Sequence, residues 1–133
     1  MACYLRAFGS DFDVDAFVAA SPVEWAEVWH RGENKAHPLP GKAKEHRTSG
    51  LQIEIGDGDD FIGLLRDASE FIRTNRHELL RLASAPGMEV VGVDFGLTWD
   101  SDAAVRSVTL PPEFVALAGA LRLAIEITYY DLN

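Results

Sequence analysis

The chain has 133 residues, 47% of them hydrophobic and 25% charged, with a formal net charge of −9 from 12 basic and 21 acidic side chains. That length and composition suit one ordinary globular domain that buries a core without disulfide or metal staples, and they exclude a low-hydropathy disordered chain. The acidic balance opposes phosphate backbones and anionic headgroups, so neither nucleic acid nor membrane is expected as a partner, whereas a basic protein is favoured.

In chain order, Cys3, Leu5 and Ala7 alternate with Tyr4, Arg6 and Phe8, which predicts a first strand over Ala2–Gly9. Asp11 and Asp13 offer N-caps for a short helix through Asp13–Ala20, and Ser21-Pro22 stops it. Glu24–His30 reads as a second strand, with Trp25 and Trp29 at alternating spacing and Glu27 between them. Arg31–His46, with Gly32, Pro38, Pro40 and Gly41, reads as a long surface loop of the kind that often carries function. Leu51, Ile53 and Ile55 alternate with Gln52 and Glu54 in a strand over Arg47–Ile55. Gly56–Asp60 is a turn whose acidic residues complement a helix N-terminus.

From Phe61 the apolar spacing becomes helical through Leu64, Leu65, Ala68, Phe71, Ile72, Leu79, Leu80, Leu82 and Ala83. This predicts one long helix over Asp60–Ala85, ended by Pro86-Gly87. In Glu89–Trp99, Val91, Val93, Phe95, Leu97 and Trp99 share one strand face; Gly92, Asp94, Gly96 and Thr98 share the other. Asp100–Thr109 is a polar connection, and Pro111-Pro112-Glu113 opens a short helix to Ala120. In a last strand, Leu121–Tyr130, the residues Leu121, Leu123, Ile125, Ile127 and Tyr129 face one way and Arg122, Ala124, Glu126, Thr128 and Tyr130 the other. The order β-α-β-β-α-β-α-β implies a single α+β domain over 1–133. Its mixed or antiparallel sheet has about five strands, with one long central helix and two short helices on one face. The second sheet face then carries Tyr4, Arg6, Gln52, Glu54, Asp94, Arg122, Glu126 and Tyr130.

No motif for catalysis or cofactor binding survives inspection. Asp11, Asp13 and Asp15 resemble the start of a calcium loop, but the positions that need Gly and Glu hold Ala16 and Pro22. Gly56-Asp57-Gly58 sits where phosphate loops sit, yet its aspartates reject phosphate and no Lys-Ser or Lys-Thr follows. His30, His37 and His46 lie in or beside the long loop with Arg31, Lys35, Lys42, Lys44 and Arg47. This basic island opposes a divalent ion and suits an anion or acidic-partner contact. Cys3 reads as a small buried hydrophobe, and no serine sits in a nucleophile elbow. Glu54, Asp94 and Glu126 can converge on the second sheet face, where Arg6 and Arg122 can neutralise them. No cofactor or metal is expected. As the only cysteine, Cys3 excludes an intramolecular disulfide. With no basic-then-apolar leader and no apolar run near the ~20 residues of a membrane helix, the expectation is a cytoplasmic protein.

Several stretches together resemble one family. They are the opening strand, Asp11–Asp15 leading into a short helix, and Pro22 followed by Trp29-His30-Arg31-Gly32-Glu33. Thr48-Ser49-Gly50 before a strand, the central helix, Leu110-Pro111-Pro112-Glu113, Leu117-Ala118 and Leu123–Tyr129 complete the set. On these the chain resembles the bacterial domain of unknown function 4279 family, with Leu51 where that family often has Trp. The resemblance implies an α+β fold and no established activity or catalytic residues.

The leading reading is therefore a non-catalytic binding or protein-interaction module, comparable to an immunity protein that masks a basic partner. A homodimer through the second sheet face is a further reading. The alternative is a small-ligand domain or enzyme built on a recess near Trp25, Trp29, Arg31 and that face. The candidate surface is Trp25, Trp29, Arg31, Arg6, Glu54, Asp94, Arg122 and Glu126.

Overall fold

Alternation in Ala2–Gly9 produces β1, the middle strand of a five-stranded sheet ordered β2-β3-β1-β4-β5 in the computed structural model. The structure describes residues 1–36, 40–41, 44–99 and 105–131, without the side chain of Trp99. His37, Lys42 and the start of the Asp100–Thr109 connection lie outside the described residues. The remaining strands are β2 (Glu27–Trp29), β3 (Ser49–Asp57), β4 (Val90–Trp99) and β5 (Ala124–Asp131). β1 runs antiparallel to both β3 and β4, β2 is antiparallel to β3, and β5 is parallel to β4. The sheet is thus mixed.

One face of the sheet is sealed. Cys3, Leu5 and Ala7 of β1, Val93, Phe95 and Leu97 of β4 and Leu51 of β3 are fully buried. Against them pack α1 (Val14–Ala19), α2 (Phe61–Thr74), α3 (Arg76–Ala83) and α4 (Pro112–Ala120). Phe95 lies edge-on between Phe61 of α2 and Phe114 of α4, at centroid separations of 5.2 and 5.6 Å. The caps are the expected ones: Asp13 accepts from the Ala16 N–H at 3.1 Å, and Asp60 from the Gly63 N–H at 2.6 Å.

Three expectations are corrected. The single long helix is two, α2 and α3, broken at Asn75. The Asn75 side-chain amide and backbone N–H both donate to the Phe71 carbonyl, at 3.0 and 2.9 Å. An asparagine that bonds its own backbone competes with helix continuation, although the apolar stripe resumes at Leu79. The second strand is only Glu27–Trp29, because the chain bends at Ala26. The last strand begins at Ala124, and Arg122 sits at φ 58° in the turn before it.

β3 carries a bulge. Tyr4 pairs with Glu54 but Cys3 with Gly56, so Ile55 is the extra residue. Gly56 then takes a core position that α2 approaches closely, where an added Cβ would lie 3.1 Å from the Asp67 Cβ. Asp57, opposite Ala2, is carried to the other face. The two described flanks of the long loop are hydrogen-bonded to each other. Asn34 bridges Glu45, and Gly32 and His46 donate N–H groups to His46 and Glu33 carbonyls, both at 2.8 Å.

Candidate functional site

Among the described residues no helix covers the second face of the sheet, and register fixes which side chains stand on it. One row across the strands is Glu27, Gln52, Arg6, Gly92 and Ala124. The next is Glu54, Tyr4, Asp94 and Glu126. Phe8 and Trp29 continue the face at one end, and Asp57, Thr98, Thr128 and Tyr130 at the other.

A polar chain crosses this face and takes one side chain from every strand. Gln52 donates to Glu27 at 3.4 Å, and the Arg6 Nε donates to the Gln52 carbonyl oxygen at 2.8 Å. Arg6 also pairs with Asp94 at 3.6 Å, and the Thr128 hydroxyl donates to Asp94 at 2.9 Å. Asp94 is only 6% exposed, flanked by Gly92 and Gly96. A buried carboxylate needs such partners, since an uncompensated one carries a large desolvation cost.

The charge around the chain is one-sided. Among the described residues this face holds the carboxylates of Glu27, Glu54, Asp57, Asp94 and Glu126 against the guanidinium of Arg6. Arg6 is committed to Gln52 and Asp94. Tyr4, in the middle, has its hydroxyl pKa pushed above 10.0. Burial is the largest cause, followed by Glu54, Tyr130, Glu27 and Asp57, so these groups act on one point. The face is an acidic, aromatic-edged platform held by internal hydrogen bonds.

The sequence-predicted residues divide. Arg6, Glu54, Asp94 and Glu126 are brought together on the uncovered face. Arg122 is not, because its turn precedes the strand. Trp25 is not either: it donates to the Ser21 hydroxyl at 3.0 Å and packs near Phe17, on the helix side. Trp29 lies on Gly50, where an added Cβ would meet its ring at 2.4 Å. It stacks on His46 at 5.9 Å. Glu27, Asp57 and Thr128 were missed as site residues. Alternation in the last strand carried the signal for Thr128, whereas a bend and a bulge hid the other two.

Arg31 stands at a separate place, in a groove of about 740 Å³ that it lines with Gly32, Asn34, Lys44, Glu45, His46 and Arg47. It donates to the Ser10 carbonyl at 3.2 Å and approaches Asp11 at 3.5 Å. His30 donates from Nε2 to the Asp15 carboxylate at 2.8 Å, and its Nδ1 faces the Glu33 carboxylate. Its pKa is raised above 6.5, first by the Asp15 hydrogen bond. The Cys3 thiol is pushed far up by burial and then by Asp94 and Asp67, which leaves it protonated and inert near neutrality. Among the described residues no group of three or more His, Cys, Asp or Glu is placed to hold a metal ion, and no helix is long and apolar enough to cross a membrane. Compared with known proteins, the chain matches no family model, no curated protein and no solved structure.

Proposed function

We propose that this chain is a soluble, cytoplasmic, non-catalytic interaction module that docks a basic protein on its uncovered sheet face, as an immunity protein masks a basic toxin. The observation that carries the reading is the cross-sheet chain Glu27–Gln52–Arg6–Asp94–Thr128, set among uncompensated carboxylates. Side chains already held by one another lose little freedom on binding, and a negative platform steers a positive partner. Membership of the bacterial domain of unknown function 4279 family belongs to the same proposal.

The test is affinity capture from the native host with the wild-type chain and with a Glu27→Gln, Glu54→Gln, Glu126→Gln variant. All three positions are exposed, so the variant keeps the fold. A basic protein retained by the wild type and lost with the variant supports the reading. Capture of nothing, or of a partner indifferent to the three changes, overturns it.

A second reading is favoured by the groove at Arg31, where Arg31, Lys44 and Arg47 outnumber the one carboxylate, Glu45, and Trp29 is stacked behind His46. This site suits a small anionic ligand, bound or turned over. Titration with inorganic phosphate should change the Trp29 fluorescence in wild type and not in Arg47→Ala. An unchanged spectrum in both removes the reading.

A further inference from the structure

A groove opens on the helix side of the sheet, away from the uncovered face. The β1–α1 turn, the first turn of α1 and the end of α3 enclose about 580 Å³, within the roughly 300–1,000 Å³ of small-molecule sites. Gly87 allows the enclosure. It sits at φ 79°, and an added Cβ would lie 2.3 Å from the Asp11 carbonyl oxygen, so glycine lets the Pro86-Gly87 turn close on Asp11-Phe12. Most of the lining is apolar: Phe12, Ala16, Phe17, Ala85 and Pro86. Phe12 and Phe17 are rooted in the core with ring centroids 6.0 Å apart, so these walls are set before a ligand arrives.

The charged groups of the groove differ in what already holds them. Arg81 lies over the Phe17 ring at 3.8 Å and donates to the Phe17 carbonyl at 3.3 Å. It also donates to Glu78 from Nη2 at 2.5 Å and from Nε at 3.4 Å, and the Glu78 side chain is 10% exposed, so the pair cancels its own charge. Asp11 and Asp13 are on the rim. Asp13 gives one carboxylate oxygen to the Ala16 N–H. Asp11 faces Arg31 at 3.5 Å with both side chains mostly in water, a contact that holds the carboxylate only loosely. The C-terminal end of α3, at Ser84 and Ala85, adds the partial negative charge of a helix C-terminus. The positive end of α1, a six-residue helix, is capped by Asp13.

We infer that this groove binds a small organic cation, a primary ammonium carried on an aromatic or branched apolar body. The body packs against Phe12, Phe17 and Pro86, and the ammonium meets Asp11 and Asp13 at the rim. The Arg81 guanidinium stacked on Phe17 is an example, within the chain, of the cation-on-ring contact that such a wall offers. An anion of the same shape would bring its charge to two aspartates and a helix C-terminus, and would find Arg81 already engaged with Glu78. The inference concerns the opposite side of the sheet from the basic-partner platform and does not rest on that reading.

The test uses the full chain and two probes of matched shape and opposite charge, phenethylamine and phenylpropionate, followed by heteronuclear NMR and calorimetry at low salt. Phenethylamine should shift the amides of Asp11–Phe17 and Ser84–Gly87 saturably, and should bind about tenfold more tightly than phenylpropionate. Asp11→Asn with Asp13→Asn keeps the helix cap, because asparagine caps as well as aspartate. This variant should weaken phenethylamine about tenfold and remove the preference between the probes. Ala16→Phe fills the groove from an exposed position and should abolish binding of both. A thermal melt of each variant reports that it is folded, and the comparison of the two probes on wild type needs no variant at all. Absence of a saturable shift with millimolar phenethylamine overturns the inference. So does phenylpropionate binding as tightly as phenethylamine or more so, which would give the groove to a carboxylate held by Arg81. Phenethylamine binding that either variant leaves unchanged overturns it too.

Discussion

Asp94 is the one charged side chain buried among the described residues, and its environment was half legible in advance. Strict alternation in β4 placed it on the second face opposite Phe95. The alternation could not show that it would be buried there, because the burial comes from neighbours on β1 and β5 that are remote in sequence. Thr128 supplies the hydroxyl that Asp94 accepts from. Thr128→Val keeps the shape and removes the donor, and the loss of one bond to a buried carboxylate should destabilise the fold by about 1–3 kcal/mol. Urea unfolding of the two proteins measures this, and an unchanged midpoint would detach Thr128 from the network. His30 gives a second prediction at this scale. Its folded pKa is raised, so the stabilisation it supplies is full below the unfolded value of 6.5 and is lost as pH rises through the folded value. A proton NMR titration should place the ring above 6.5 in wild type and lower in Asp15→Asn, because the Asp15 bond is the largest cause.

At the scale of elements, periodicity foretold most of what formed. Strands β1, β3 and β4 and helices α1 and α4 arise where alternation, aspartate caps and prolines mark them. The errors share a cause: a pattern of apolar residues continues through a local backbone event that periodicity does not register. The helical stripe runs through Asn75, where a side-chain bond to the Phe71 carbonyl breaks the helix. The alternation of Leu121 and Leu123 runs through the turn at Arg122, and that of Trp25 and Glu27 runs through the bend at Ala26. Two of the eight candidate site residues, Arg122 and Trp25, were misplaced for this reason. Where the pattern was right, packing explains its strength. Phe95 is fully buried and touches both Phe61 and Phe114, so it couples α2 and α4 to the sheet. Phe95→Ala should cost about 3–5 kcal/mol in denaturant unfolding, whereas truncation of the exposed Val105 should leave the midpoint within about 0.5 kcal/mol.

Strand order belongs to the whole molecule, and no local pattern carries it. β1 is central because it pairs with β3 and β4, segments that begin 47 and 88 positions after it (49 minus 2, and 90 minus 2). The same long-range pairing draws Glu27 of β2, Glu54 and Asp57 of β3 and Glu126 of β5 onto one face, and so turns a formal net charge of −9 into a directed field. That field acts with opposite sign on association with a basic partner and on self-association. A basic partner is attracted, and a second acidic copy is repelled at long range. Raising ionic strength shortens the screening length from about 30 Å at 0.01 M to about 8 Å at 0.15 M and weakens both effects. Across that range the affinity for a basic partner should fall, mainly through a slower association rate, while the self-association constant should rise. Sedimentation and stopped-flow binding in the same buffers measure the two trends. If both move in the same direction with salt, the uncovered face does not set the electrostatics of association.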